Sequence, residues 1–211
     1  MSQLSQQSKR TSAMPLTHLL YLHGFRSSPQ STKARLMHAA MSARWPGVQW
    51  WCPQLPPSPR EAMALVRSGT AHWPAEGMAV VGSSLGGFYA CCVAAERGCR
   101  AVLLNPAVHP ARDLARHLGE QVAWHDASQR FTFTDTHVRE LQVLEHDSCD
   151  ALRSPEPAHL GVIAKGDEVL DWREMTSRFP HARLRLLEAG DHALSDFDQH
   201  LEAILSFLDG V

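Results

Sequence analysis

Apolar residues along this chain gather in short runs instead of alternating with polar ones. Runs over 17–22, 48–52, 78–82, 101–104, 160–164 and 183–187 are bounded by turn-forming residues. Short uninterrupted runs of this kind suit strands buried on both faces, as in a parallel sheet. Helical stretches separate them, and several helix starts are legible. Ser58-Pro59-Arg60-Glu61 sets an N-cap serine before a first-position proline, with a glutamate at the capping-box position. Asp171-Trp172-Arg173-Glu174 repeats the arrangement with an aspartate cap. Ser31 or Thr32 opens a helix through about residue 43. Ser195 opens the last one, where Phe197, Leu201, Ile204, Leu205 and Leu208 make one apolar stripe. Regular strand–helix alternation predicts an α/β fold with a mostly parallel sheet of about six strands and helices on both faces.

The alternation breaks over residues 108–157. Two helices are expected there, at about 111–118 and 136–145, and no strand. An insertion of that size between strands reads as a small helical lid rather than a second domain. Residues 1–14 form a polar tail expected to be flexible, leaving 15–211 as a single domain.

Composition narrows the function classes. The chain has 211 residues, 44% of them hydrophobic, and a formal net charge of −2. That balance excludes a disordered chain, and it provides no basic surface for tracking a nucleic-acid backbone. The uncharged run 77–95 is long enough to cross a membrane, but Gly82, Ser83, Ser84, Gly86 and Gly87 interrupt its middle. It reads instead as a buried strand, a tight turn and a buried helix. Five cysteines (Cys52, Cys91, Cys92, Cys99, Cys149) cannot all pair, and the polar N-terminus lacks the apolar core of a secretory signal. A reducing cytoplasm is the expected setting.

The candidate chemistry starts in that interrupted run. Gly82-Ser83-Ser84-Leu85-Gly86 is a G-x-S-x-G motif at a strand-to-helix turn. Gly82 and Gly86 permit the crowded turn that lifts the Ser84 hydroxyl to the top of the sheet. The Leu85 amide then points where an oxyanion would form, and the helix dipole favours negative charge there. The competing reading is a serine capping a buried helix, with the glycines present only for close packing.

A nucleophilic serine needs a base, and the base needs an acid to orient it. The run 160–164 ends in Lys165-Gly166-Asp167-Glu168, and the run 183–187 ends in Glu188-Ala189-Gly190-Asp191-His192. Asp167 and His192 therefore emerge at the same sheet edge, in the order Ser, Asp, His. Asp171 is a rival acid already explained as a helix cap. Glu168 and Asp191 are further rivals by proximity. At the end of the first strand run, His23-Gly24-Phe25 offers a second oxyanion amide on Phe25. Gly24 lets backbone approach substrate, and His23 fits a loop-holding role better than that of the base. Neither H-E-x-x-H, C-x-x-C nor G-x-x-x-x-G-K is present, so zinc and nucleotide sites have no support. The histidines of the insertion (His109, His117, His125, His137, His146) have no convincing ligand spacing. Trp124, Phe131 and Phe133 suit either a lid over an apolar substrate or plain packing.

Taken together, these motifs resemble the small bacterial YqiA/YcfP-like esterases of the α/β-hydrolase superfamily. The resemblance rests on residues 21–25, Ser27-Ser28-Pro29 with Ser31, residues 82–90 and 103–108, Gly166-Asp167-Glu168-Val169-Leu170-Asp171 and Gly190-Asp191-His192. It implies a compact α/β-hydrolase acting on acyl esters or thioesters in the cytoplasm without a cofactor, with Ser84 as nucleophile, Asp167 as acid and His192 as base. Ala193-Leu194 departs from the Ser-Phe that tends to follow the histidine in that family, as does the polar extension before Leu16. The expected activity is a carboxylesterase-type serine hydrolase forming an acyl-enzyme on a small-molecule ester. Its rivals are an acyl-CoA thioesterase and a catalytically silent binding module on the same scaffold.

Overall fold

The computed structural model describes residues 14–148 and 158–210. Most of the polar tail and the 149–157 part of the insertion, including Cys149, lie outside the described residues. A six-stranded sheet, parallel throughout, runs in the order β2-β1-β3-β4-β7-β8. Its strands are β1 (His18–Leu22), β2 (Gln49–Trp51), β3 (Met78–Ser83), β4 (Arg100–Leu104), β7 (His159–Ala164) and β8 (Arg183–Leu187). Each overlaps one of the apolar runs to within a residue or two at its ends.

Those runs have no polar alternation because both faces are covered. On one face Leu20, Leu22, Val80 and Leu103 pack against α2 (Pro59–Thr70), α3 (Leu85–Arg97) and α5 (Asp135–Ser148). On the other, Leu19, Tyr21, Val81 and Leu104 meet α1 (Thr32–Arg44) and α7 (Leu201–Leu208). Residues one apart in sequence thus enter opposite cores, as the period of two requires. The Ser58 hydroxyl oxygen accepts the Glu61 N–H at 3.2 Å while its proton goes to Glu140 on α5 at 2.7 Å. That cap therefore also ties α2 to the insertion. Asp171 caps α6 (Trp172–Arg178) by accepting the Arg173 N–H at 2.9 Å.

The C-terminal helix starts differently from the sequence expectation. Ser195 caps nothing: its N–H and hydroxyl both bond the Asp191 carboxylate, at 2.9 and 2.6 Å. A 3-10 turn over Phe197–His200 precedes α7.

The insertion also needs correction. Its first helix is a short α4 (Pro110–Leu114) continued by a 3-10 turn, and its second, α5, is longer than expected. Between them lies an antiparallel hairpin that the expectation of helices alone omitted: β5 (Gly119–Val122) paired with β6 (Arg130–Phe133). Four residues per strand leave a periodicity too short to read. Tertiary contacts settle the matter, since Phe131 and Phe133 stand edge-on to Phe25 with ring centroids 5.7 and 5.1 Å away. No helix among the described residues is long and apolar enough to cross a membrane, because the uncharged run divides into β3, a turn and α3.

Candidate active site

The sheet order changes direction between β1 and β3: β2 lies outside β1, while β4, β7 and β8 extend from β3. Loops leaving the carboxyl ends of those two strands diverge there and leave a crevice. His23–Phe25 enters it from β1 and Ser84 from β3.

Ser84 sits at φ 56°, ψ −122°, a region that costs an L-residue of order 1–3 kcal/mol unless its surroundings enforce it. The enforcement is visible. The Ser84 N–H donates to the Leu104 carbonyl at 3.0 Å, and its own carbonyl accepts the Ala107 and Gly87 N–H groups at 3.0 and 2.9 Å. Glycine is demanded on either side of the turn. A Cβ on Gly82 would lie 2.1 Å from the Gly86 carbonyl oxygen, and one on Gly86 would lie 2.0 Å from that of Leu22. Both are backbone obstacles that cannot swing aside.

The Ser84 Oγ is 2.9 Å from His192 Nε2, and His192 Nδ1 is 2.7 Å from Asp167 Oδ2. The Asp167 side chain is fully buried, yet its charge is met. Its other oxygen accepts the Val169 and Leu170 N–H groups, each at 2.8 Å. A carboxylate fixed in this way holds the proton on Nδ1 and leaves the Nε2 lone pair facing the hydroxyl. Of the rival acids, Asp171 caps α6 and Asp191 binds Ser195, whose two hydrogen bonds hold the Asp191 carboxyl below its usual range. Glu168 accepts the His192 backbone N–H at 2.9 Å. The fold therefore joins Ser84, His192 and Asp167 and gives the other acids structural tasks.

His23 is buried against the opposite wall. Its Nε2 accepts the Leu55 N–H at 3.1 Å, so its Nδ1 donates to the Gly24 carbonyl at 3.0 Å. Burial pushes its pKa down to about 4, keeping the ring neutral with the proton on Nδ1. This clamp shapes the loop that carries Phe25. Gly24 lies so close to the serine that an added Cβ would sit 3.2 Å from the Ser84 Cβ. Leu85 is the first residue of α3, so its N–H has no partner within the helix. Phe25 and Leu85 both line a cavity of about 420 Å³ whose outer wall is the insertion hairpin. A second cavity, about 240 Å³ between α3, α5 and α6, is lined by Phe88, Cys91, Glu145 and Phe179; neither cavity is lined by Ser84, His192 or Asp167, but only the first includes Gly24 and Leu85, which adjoin Ser84.

Asn105 is a functional residue that sequence reasoning missed. Fully buried and at φ 40°, it stands at the end of β4. Its Nδ2 donates to the Asp191 and His192 carbonyls at 3.0 and 3.3 Å, and its Oδ1 accepts the Ala164 N–H at 2.8 Å. It thus links the ends of β4 and β7 to the loop bearing His192. Lys33 reaches the same loop from α1, donating to the Ala193 carbonyl. Burial lowers its pKa, against the pull of Asp191 and Asp167. The sequence hints were the 103–108 stretch that shares in the family resemblance, with an asparagine before a proline at a strand end, and a lysine in the first turn of a helix.

Solved structures with this architecture include several esterases. The metagenome-derived lipolytic enzymes LipS and LipT are represented by a structure matching at a TM-score of 0.72 and 18% identity, over 95% of this chain and 96% of that one. Est1E from Butyrivibrio proteoclasticus matches at 0.67 and 16%, over 93% and 86%. An esterase domain of a Rhodothermus marinus protein matches at 0.67 and 21%, over 94% and 89%. These likenesses show the α/β-hydrolase fold. The family model described as Uncharacterised protein family (UPF0227) matches residues 18–209, and the chain belongs to that family, the YqiA/YcfP-like one its motifs resemble.

Proposed function

We propose that this chain is a carboxylesterase-type serine hydrolase that works through an acyl-enzyme. The observation that carries the reading is the continuous hydrogen-bonded path from Ser84 through His192 to a buried Asp167, starting from a serine held at positive φ. In this reading Ser84 Oγ attacks the acyl carbonyl as His192 Nε2 takes its proton. Asp167 stabilises the imidazolium without itself taking the proton. The amides of Phe25 and Leu85 meet the developing oxyanion, where losing one donor typically costs about 3–4 kcal/mol of barrier. His192 then returns its proton to the leaving alcohol, and a water that it deprotonates releases the acid. Gly82 and Gly86 build the turn, and His23 and Gly24 shape the oxyanion loop. The insertion acts as a lid over the acyl group. No disulfide joins Cys52, Cys91, Cys92 and Cys99, which supports a cytoplasmic setting.

The test is a fluorophosphonate probe with mass-spectrometric mapping of the adduct. Labelling of Ser84, lost in Ser84→Ala and collapsed in His192→Ala, is the expected result. Esterase turnover should fall by about four orders of magnitude or more in either variant. Absence of labelling in the folded protein overturns the reading and favours a silent binding module. Preferential turnover of acyl-CoA over the matching oxygen ester would make the enzyme a thioesterase.

A further inference from the structure

The cavity beside Ser84 has an uneven charge. Its walls include the apolar Phe25, Leu55, Leu85 and Phe131 together with Arg26 and Arg130, and no carboxylate lines it, although the chain carries a net charge of −2. The two arginines differ. Arg130 is exposed and answered by Glu120 across the hairpin. Arg26 is half-buried, and no carboxylate among the described residues pairs with it. It is nonetheless held in place: its Nε donates to the Val122 carbonyl at 2.7 Å, and the guanidinium lies 4.1 Å over the Trp124 ring. Arg26 itself sits at φ 61°. A fixed, partly desolvated guanidinium without a counter-charge is a ready receptor for a carboxylate.

Which part of the substrate meets Arg26 follows from where protons must go. The leaving group has to lie within reach of His192 Nε2, which protonates it. Neither Ser84, His192 nor any residue of the 165–195 segment lines this cavity, whereas the amide carriers Phe25 and Leu85 do, with Gly24, whose backbone lies against Ser84. The cavity therefore takes the acyl half, and Arg26 is one residue along the chain from the carbonyl-binding amide of Phe25. We infer that the acyl groups this enzyme cleaves end in a carboxylate, so that its substrates are monoesters of dicarboxylic acids, with Arg26 as the residue that selects them. The inference rests on the ester-hydrolase reading above and specifies its substrate class.

The test compares the 4-nitrophenyl monoester of adipic acid with 4-nitrophenyl hexanoate, which has the same carbon count and no terminal charge. Each enzyme form is scored by the ratio of the two kcat/KM values, which cancels any general loss of activity. The wild-type ratio should favour the adipate monoester by about tenfold or more, chiefly through KM. Raising the salt to about 0.5 M should shrink it, because an open cavity is screened. Arg26→Gln should bring the ratio to about one, and Arg26→Lys, which keeps the charge, should retain a preference. A wild-type ratio at or below one overturns the inference, as does a preference that survives in Arg26→Gln. If Ser84 labels with the fluorophosphonate while hexanoate is preferred, only the substrate class fails. If Ser84 does not label and neither ester is cleaved, the hydrolase reading fails and the inference falls with it.

Discussion

Replacing Asn105 tests how far the His192 loop depends on that side chain, beside its Glu168 and Lys33 contacts. In Asn105→Ala the Ala164 N–H, fully buried, loses its partner, and an unmet buried donor costs about 1–3 kcal/mol. The two bonds to the Asp191 and His192 carbonyls go as well, and alanine tolerates positive φ less readily than asparagine. Together these give a destabilisation of roughly 3 kcal/mol, which in a domain of this size lowers Tm by about 6–12 °C. The larger effect should fall on turnover. A displacement of about 1 Å in a catalytic group can cost about 100-fold. With the His192 loop left to the Glu168 and Lys33 contacts, kcat should therefore fall by up to that order with little change in KM.

Asn105→Asp separates the two roles. It keeps an oxygen for the Ala164 N–H but turns a carboxylate oxygen toward two carbonyl oxygens. Its kcat should fall at least as far as that of Asn105→Ala, with the pH profile displaced by a new charge near His192. Ester hydrolysis at saturating and limiting substrate, alongside thermal melts, gives all the quantities needed. An Asn105→Ala protein with kcat within about threefold of wild type and Tm within about 2 °C would refute the argument.

Three further outcomes follow from other positions. Ser84→Gly should abolish labelling and esterase activity yet raise Tm by a few degrees, because glycine carries no penalty at φ 56°; a lower Tm would show that the turn is not strained. Gly86→Ala should fail to give stable folded protein, since its Cβ would meet the Leu22 carbonyl oxygen at 2.0 Å; circular dichroism and a melt on purified protein would show an intact fold if the close approach is wrong. With its pKa lowered by burial from 6.5 to about 4, His23 binds a proton in the unfolded chain over that interval while the folded chain does not. Stability should therefore rise with pH between about 4 and 6.5 and flatten above it, and the slope should shrink in His23→Gln; equal slopes in urea titrations would contradict the assignment.

The sheet was legible because burial on both faces makes each strand a run of apolar residues. The turn at Ser84 was legible because the glycine requirement is local. Strand order placed the Asp167 and His192 loops together, since they leave adjacent strands at one edge, but Glu168, Asp171 and Asp191 stood as rival acids until the hydrogen bonds assigned each its partner. The hairpin was not legible: its four-residue strands pack against Phe25, more than a hundred residues away along the chain. Asn105 escaped for a related reason. Its task exists only where the ends of β4 and β7 meet the Asp191–His192 loop, a convergence that no window of sequence contains. Ser195 looked like a helix cap because the residues after it are helical in pattern, but the competing Asp191 carboxylate captured it.

Arg26 is bound to the hairpin from both ends: its side chain bonds Val122, and its carbonyl accepts the Trp124 N–H at 2.8 Å. The Phe25 N–H lies two peptide units back from that carbonyl. The outer wall of the cavity and the amide assigned to the oxyanion in the proposed mechanism are therefore tied together through Arg26. If the proposed mechanism holds, an acyl chain that pushes the hairpin outward would drag that amide off the carbonyl oxygen, so an ill-fitting substrate should suffer in kcat as well as in KM. On that mechanism fit would be read at the bond being broken, and transplanting a longer hairpin to widen the cavity would retune the chemistry along with the choice of substrate.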